Sequence, residues 1–308
     1  MVAVVVAPPT VPEPVAGGRR GLRGRRWAGK PLCRSLLIAV SIIALGIGGA
    51  EAAAARGPGI RAAQALIYDE SDARVLYERD ADRQVPIASI TKLGLAMVVL
   101  DARLDPTEMI VVQEDDKSAV KPARSRFAVG SSANRADVLR LALIASDNRA
   151  ALALARTYPG GTTAAVAAMN AKAASLGLVS TRFADPSGLD PANVSSARDL
   201  VVIVRAALKY PAIHEATTMR EFDLRTARGV VRFANTDGLL RRREWHIELS
   251  KTGYISEAGR CLVLHALIAG RPTTLVLLGA QGKYSAIADA VRVRQWLESG
   301  TRPLKPAS

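Results

Sequence analysis

The sequence predicts an α+β fold in which a mostly antiparallel sheet is built from both ends of the chain, with a helical lobe inserted between them. Strand-like patterns occur shortly after residue 60 and again beyond residue 221, whereas helical patterns dominate the stretch between. Antiparallel strands separated from a run of helices are typical of this fold class. The 308 residues contain no internal repeat and suffice for one large domain or two small ones.

Composition narrows the class of protein. Apolar residues make up 49% of the chain and aromatic residues 4%, so the core must consist mainly of Ala, Val, Leu and Ile. The net charge is +14, of which residues 1–55 contribute +5. The other +9 suits an anionic partner, such as cell-wall polymer, substrate carboxylates or nucleic acid. The basic run Arg241–Arg243 has no interleaved aromatic residues, which favours a solvated loop over a nucleic-acid site.

Residues 1–55 have the pattern of an export signal. Seven Lys and Arg residues precede an apolar run of 14 residues, Leu36 to Gly49, which is too short to span a bilayer comfortably. Ala50-Glu51-Ala52 then gives a small-x-small cleavage pattern. We therefore expect a cleaved leader at 1–55, a mature domain at 56–308, and a periplasmic or secreted protein.

The elements are assigned in chain order. Ala65–Asp69 and Arg74–Tyr77 predict a hairpin. A buried helix follows at about 89–101, because every residue from Leu93 to Leu100 is apolar or glycine. Further helices are predicted at 137–145, 149–157 and 162–176, and after a Ser196 cap. Beyond Pro211 the pattern turns to strands, at 222–224, 230–233, 246–250, 260–268 and 273–279, and a helix at about 284–298 closes the chain.

The cysteine and histidine residues give no clear sign of a disulfide, a metal site or a catalytic triad. Cys33 lies in the leader and Cys261 in a strand pattern, so the mature chain cannot form an internal disulfide. The three histidines are scattered without metal-ligand spacing, and no metal or organic cofactor is predicted. Spacing alone leaves a Ser-His-Asp triad open, but nothing local supports one.

Three short motifs carry the candidate chemistry: Ser89-x-x-Lys92, Ser146-Asp147-Asn148 and Lys251-Thr252-Gly253. Ser89 and Lys92 share one helix face near free N–H groups, as a serine nucleophile with a neighbouring base requires. Each motif alone is weak, because Ser-x-x-Lys recurs at Ser118–Lys121 and Ser-x-Asn at Ser132–Asn134. Their order and context together favour a serine enzyme over a core helix, a turn and a strand end without catalysis.

This ordered set is typical of penicillin-binding proteins and class A β-lactamases. Over residues 60–298 the chain resembles the D-alanyl-D-alanine carboxypeptidase family of low-molecular-mass penicillin-binding proteins. Four segments look closest to its D-alanyl-D-alanine endopeptidase branch: Ser125–Gly130, Ser146–Ala151, Asp185–Leu189 and Ser250–Cys261. The resemblance implies a β-lactamase/transpeptidase-like fold, with the sheet flanked by terminal helices. The chain ends ten residues after Glu298, so we expect a soluble protein without a C-terminal β-domain or a stable membrane anchor after processing.

The resemblance also implies roles for single residues. Ser89 forms an acyl-enzyme with the penultimate D-alanine of a peptidoglycan stem peptide, Lys92 is the general base, and Ser146 relays the proton to the leaving amine. Substrate binding falls to Asn148, Lys251, Thr252, Gly253 and Tyr254, and the oxyanion hole to the main-chain N–H groups of Ser89 and Tyr254. Lys92 must be neutral part of the time, whereas Lys251 is expected to stay charged at a strand end. β-Lactams are expected to be covalent inhibitors.

Alternatives remain at this point. A D-alanyl-D-alanine carboxypeptidase uses the same residues and differs in what lies beyond the scissile bond. A class A β-lactamase needs a Glu-x-x-x-Asn pattern after the Ser-x-Asn turn, and residues 182–189 contain none. A non-catalytic basic module that binds wall polymer or nucleic acid explains the charge but not the three ordered motifs.

Overall fold

The computed structural model describes residues 57–118, 120, 125–227 and 229–301. Five long strands come from the two ends of this part of the chain: β1 (Gln64–Asp69), β2 (Arg74–Arg79), β9 (His246–Ile255), β10 (Gly259–Ile268) and β11 (Arg271–Ala280). They form one sheet in the order β2-β1-β11-β10-β9, with every neighbouring pair antiparallel. The pairing of β1 with β11 joins the two ends and confirms the predicted architecture.

The sheet is buried on both faces. Leu66 and Val276 belong to one hydrophobic cluster, whereas Ile67 and Leu275 belong to another. Because successive side chains of a strand point to opposite faces, this alternation assigns one core to each side of the sheet. The central strands are therefore almost wholly apolar, and burial of both faces fixes their register.

Six helices form the inserted lobe: α1 (Thr91–Asp101), α2 (Arg135–Ile144), α3 (Asn148–Arg156), α4 (Gly161–Ser175), α5 (Ala197–Ala207) and α6 (Pro211–Thr218). The closing helix is α7 (Ser285–Thr301), which packs on β10 and β11. Helix α1 lies at the centre of the lobe, because nine of its residues are buried. The larger of the two cores surrounds it.

Side-chain caps define the starts of three helices. Asn134 accepts a 2.8 Å hydrogen bond from the N–H of Asp137 at α2, and Asp147 accepts one of 3.0 Å from Ala150 at α3. The predicted Ser196 cap of α5 is confirmed, because its hydroxyl accepts from the N–H of Asp199 at 3.1 Å. Caps of this kind satisfy N–H groups that have no partner within the helix.

Short strand pairs connect these elements. They are β3 (Val85–Pro86) with β6 (Val194–Ser195), β4 (Met109–Val111) with β5 (Ser132–Asn134), and β7 (Glu221–Thr226) with β8 (Gly229–Ala234). The β3–β6 pair matters most for function, because it anchors both the segment that enters α1 and the loop at 182–193.

Two local predictions are wrong. The chain beyond Pro211 continues as helix α6 before it turns to strands, because proline fits the first position of a helix. Strand β9 does not end at 250 but runs through Lys251-Thr252-Gly253 to Ile255, since Lys251 pairs with Val263 and Gly253 with Cys261. Pairing with β10 thus extends a strand whose own sequence turns polar.

Some predictions fall on residues outside this description. The predicted leader at 1–55 lies outside the described residues, so of the two predicted terminal helices only α7 can be compared. Across the residues that are described, no helix combines the length and the apolar character needed to cross a membrane.

Candidate active site

Ser89 lies in a short 3₁₀ turn, Ala88–Ile90, that leads directly into α1. The turn is strained, because Ala88 has a φ of +47°. Two glycines press against it. A Cβ added at Gly188 would lie 2.0 Å from the carbonyl oxygen of Ala88, and one at Gly253 would lie 3.0 Å from the nitrogen of Ser89. Both positions therefore require glycine for the loop and strand β9 to approach the Ser89 peptide so closely.

Lys92 lies beneath Ser89 and is almost wholly buried, with 1% of its surface exposed. Its Nζ lies 3.0 Å from Ser89 Oγ, 2.7 Å from Asn148 Oδ1 and 2.6 Å from the carbonyl oxygen of Ser187. The last two atoms can only accept hydrogen bonds. A neutral amine has two N–H groups and one lone pair, so it can donate to both of them and still accept the proton of the Ser89 hydroxyl.

The electrostatics of Lys92 match this arrangement. Burial lowers its pKa from 10.5 to about 8, and the nearby carboxylates of Asp185 and Asp147 oppose that effect. Desolvation disfavours the charged ammonium, and the carboxylates favour it. The balance leaves a useful fraction of neutral amine near pH 8, which a general base requires.

Ser146 occupies the turn between α2 and α3, with a φ of +55°. Its Oγ accepts a 2.8 Å hydrogen bond from Lys251 Nζ, which also donates to the carbonyl oxygen of Thr252. The turn itself is held by Asp147, whose carboxylate accepts from the Ser125 hydroxyl at 2.6 Å. Ser146 thus adopts a left-handed backbone conformation between two helices, and its hydroxyl points toward Lys251.

The predicted charge state of Lys251 requires correction. Lys251 lies within strand β9 and is as buried as Lys92, with 1% of its surface exposed. Burial, followed by the charge of Lys92, lowers its pKa well below the ordinary value of 10.5. Two buried lysines that face one site repel each other, so the structure does not support a Lys251 whose charge is fixed.

The structure brings all eight predicted site residues together. Six of them line one cleft of about 290 Å³: Ser89, Ser146, Asn148, Thr252, Gly253 and Tyr254. Lys92 and Lys251 lie below the cleft and contact its lining through Ser89 and Ser146. The side chain of Tyr254 is exposed at the rim, where the guanidinium of Arg260 stacks on its ring at 3.9 Å.

Three parts of the site lack a clear sequence signal. The Thr236 hydroxyl lies 2.6 Å from that of Thr252, and Arg260 also lines the cleft. The third is the Ser187 carbonyl. Asp185 holds it in place, because its carboxylate accepts from the N–H groups of Ser187 at 2.6 Å and Gly188 at 2.5 Å. An Asp before Pro-x-Gly is typical of such a turn, so the sequence predicts the turn but not the contact of its carbonyl group with Lys92.

A protein-family comparison identifies this combination of fold and site. The model of the family described as D-alanyl-D-alanine carboxypeptidase matches residues 51–282. The chain belongs to this family. The predicted family is thereby confirmed, as is the prediction of a serine hydrolase.

Individual family members extend the comparison. The chain is 46% identical to a D-alanyl-D-alanine endopeptidase of Pseudomonas aeruginosa over 246 residues, or 79% of each chain. It is 44% identical to the D-alanyl-D-alanine endopeptidase of Escherichia coli over 262 residues, or 84% of each. A D-alanyl-D-alanine carboxypeptidase of Mycobacterium tuberculosis has a similar solved structure, with a TM-score of 0.72 and 32% identity over 82% of this chain and 94% of that one. The structure of a Streptomyces DD-transpeptidase also has a TM-score of 0.72, with 27% identity over 78% of this chain and 98% of that one. These structures confirm the predicted fold class.

Proposed function

We propose that this protein is a serine DD-endopeptidase that cleaves peptide cross-links in peptidoglycan through an acyl-enzyme on Ser89. The observation that carries this proposal is the position of Lys92 Nζ, between Ser89 Oγ and two atoms that can only accept hydrogen bonds. The similarity to two enzymes named endopeptidases supports cleavage of cross-links over removal of terminal D-alanine.

Acylation follows from the geometry. Neutral Lys92 removes the proton of the Ser89 hydroxyl while Ser89 Oγ bonds to the carbonyl carbon of the penultimate D-alanine. Collapse of the tetrahedral intermediate breaks the C–N bond, and Ser146 relays to the leaving amine the proton that Lys92 took from Ser89, so that Lys92 is neutral again. The contact of Ser146 Oγ with Lys251 Nζ supports this role, because it holds the Ser146 hydroxyl in the site.

Deacylation uses the same base, with a water molecule instead of the Ser89 hydroxyl as the nucleophile. A water molecule attacks the ester carbonyl and gives its proton to Lys92. The ester C–O bond then breaks, and the proton returns to Ser89 Oγ. The sum of both steps is hydrolysis of one peptide bond, with the enzyme restored.

The oxyanion requires two donors, for which we propose the main-chain N–H groups of Ser89 and Tyr254. The close approach of Gly253 to the Ser89 nitrogen supports this pair, because it brings the end of β9 beside the start of α1. A donor of this kind is worth about 3 kcal/mol of transition-state stabilisation. Asn148 and Thr252 are proposed to bind the substrate's main chain, and Lys251 and Thr252 its anionic groups.

The loop at 182–190 argues against rapid hydrolysis of β-lactams. A class A β-lactamase activates its deacylating water with a free carboxylate in this region. Here the carboxylate of Asp185 accepts main-chain N–H groups of Ser187, Gly188 and Asp190. These main-chain donors occupy the carboxylate oxygens, so Asp185 is not free to activate a water molecule, and we expect a long-lived penicilloyl adduct.

A non-catalytic wall-binding module is also disfavoured. Lys92 and Lys251 are both buried, and the charge of Lys92 lowers the pKa of Lys251. Burying two amines costs stability unless they serve a purpose. A binding module gains nothing from this arrangement, whereas a serine peptidase requires it.

We further propose that the protein acts outside the cytoplasmic membrane after removal of residues 1–55. The basic run, the apolar run at Leu36–Gly49 and the small-x-small pattern support export. N-terminal sequencing of the extracytoplasmic protein should give a start between Ala53 and Gly57. An intact N-terminus in the membrane fraction would show instead that the leader is a retained anchor.

Digestion of purified muropeptides tests the proposed activity. The mature protein should convert cross-linked dimers to monomers, with product masses that correspond to hydrolysis of the cross-link, and Ser89→Ala should abolish the conversion. Loss of a terminal D-alanine from monomers, with dimers left intact, would establish the carboxypeptidase alternative.

A further inference from the structure

A second cleft lies beside the turn that carries Ser146. It is open, has a volume of about 610 Å³, and is lined by Arg126, Arg149 and Phe233 together with Ala145 and Asp147. The last two residues flank Ser146 directly. The second cleft therefore lies beside Ser146, the residue proposed to deliver a proton to the leaving amine.

Two guanidinium groups face this cleft without a carboxylate partner among the described residues. Arg126 is exposed and stacks on the ring of Phe233, with 4.6 Å between the guanidinium carbon and the ring centre. Arg149 donates from Nη1 to the carbonyl oxygen of Phe127 at 3.2 Å. Its Nε is buried and finds no hydrogen-bond partner within the described chain. A buried donor without an acceptor is costly unless a ligand supplies one.

The one carboxylate that lines the cleft is already engaged. Asp147 accepts from the Ser125 hydroxyl at 2.6 Å through Oδ2 and from the N–H of Ala150 at 3.0 Å through Oδ1. It holds the turn and does not form an ion pair with either arginine. The cleft therefore keeps a net positive charge directed at whatever enters it.

We propose that Arg126 and Arg149 form a carboxylate-binding subsite for the peptide that departs with the leaving amine. This inference rests on the proposed endopeptidase activity. Guanidinium groups bind carboxylates through paired, charge-assisted hydrogen bonds, and stacking on Phe233 pre-orients one of them. A carboxypeptidase releases a single D-alanine, whereas an endopeptidase releases a second stem peptide that carries free carboxylates beyond the scissile bond. The subsite would thus favour cross-linked substrates.

Both arginines lie in segments that resemble the endopeptidase branch. Arg126 belongs to Ser125–Gly130, and Arg149 belongs to Ser146–Ala151. The two arginines are 23 residues apart in sequence, and the fold brings them to one cleft. The subsite gives a physical reason for endopeptidase preference that the three catalytic motifs alone do not provide.

Steady-state cleavage of a purified cross-linked muropeptide dimer tests the subsite. Arg126→Gln is the primary variant, because this exposed side chain makes few contacts that the fold needs. The double variant Arg126→Gln/Arg149→Gln removes both positive charges of the proposed subsite. We expect the KM for the dimer to rise about tenfold or more in the double variant with little change in kcat, as for lost charge-assisted hydrogen bonds. Arg126→Lys should recover part of the loss.

Two comparisons make the result specific. Arg243→Gln removes the same charge from an exposed loop outside the cleft and should leave the KM for the dimer at its wild-type value. The ratio of dimer cleavage to penicillin acylation should fall about tenfold in the double variant, because penicillin carries no second peptide. An unchanged KM for the dimer, or a parallel loss of both reactions, overturns the subsite. A wild-type protein that cannot cleave dimers overturns the proposed function itself, and the subsite with it.

Discussion

The main-chain carbonyl of Ser187 accepts a 2.6 Å hydrogen bond from Lys92 Nζ and thereby joins α1 to a loop 95 residues further along the chain. The neutral amine donates its two N–H groups to this carbonyl and to Asn148, which leaves its lone pair to accept the proton of Ser89. Asp185 holds the loop at that point, because its carboxylate accepts hydrogen bonds from the N–H groups of Ser187 and Gly188. The proposed base is therefore oriented by main chain as well as by the side chain of Asn148.

Removal of the Lys92 amine should abolish acylation. Lys92→Met keeps the apolar stem of the side chain but has no base to take the Ser89 proton. We expect the second-order rate of penicillin acylation to fall by at least the ~10²–10⁴ attributed to general-base catalysis. Lys209→Met, at an exposed position just after α5, is the control and should react at the wild-type rate. Near wild-type acylation in a folded Lys92→Met protein would exclude Lys92 as the base.

The acylation rate should rise with pH around the pKa of Lys92, which is about 8. Asp185→Asn removes a negative charge that raises this pKa, so the midpoint of the rise should decrease. Rates measured against pH for the wild-type protein and for this variant check the sign. An unchanged or increased midpoint would refute this account of the electrostatics.

The buried amine should also make stability depend on pH. The pKa of Lys92 is about 8 in the folded protein and 10.5 is its ordinary value, so the unfolded chain binds more protons between these limits. Stability should therefore rise from pH 8 to 10.5, and the lowered pKa corresponds to about 3 kcal/mol in total. Urea unfolding should show a smaller rise in Lys92→Met. An equal rise in both proteins would mean that Lys92 does not titrate as proposed.

Gly188 should be required for the position of Ser89. A Cβ at this residue would lie 2.0 Å from the carbonyl oxygen of Ala88, so Gly188→Ala must displace the loop or the turn. We expect penicillin acylation to fall about tenfold or more, as for a misplaced reacting group. Gly177→Ala is the matched control, because Gly177 also has a positive φ, of +74°, and its Cβ would meet no atom within 4 Å. Its acylation rate should not change. Equal rates in both variants would show that the close approach is unimportant.

Much of the fold and of the candidate site follows from local sequence patterns. The apolar run Leu93–Leu100 predicts the buried helix, and the alternating patterns predict the sheet that joins both ends. The eight predicted site residues meet because each motif lies at the end or edge of a regular element. Ser89 precedes α1, Ser146 separates two helices, and Lys251 lies on the edge strand β9.

The parts that could not be predicted depend on tertiary contacts. The Ser187 carbonyl is main chain and is present at every residue, so no side chain marks it as a partner of Lys92. The lowered pKa of Lys251 arises from burial and from Lys92, neither of which the sequence reveals. Strand β9 extends past residue 250 only because β10 pairs with it. Arg126 and Arg149 show no shared pattern until the fold places them in one cleft.

The most direct test of the account is the site of penicillin attachment. A labelled penicillin should add to the mature protein with one equivalent, and peptide mapping should place the adduct on Ser89. The adduct should be absent from Ser89→Ala, and in Lys92→Met it should form at least about a hundredfold more slowly. A label that survives Ser89→Ala, or that maps to Ser118, would contradict the claim that Ser89 is the nucleophile.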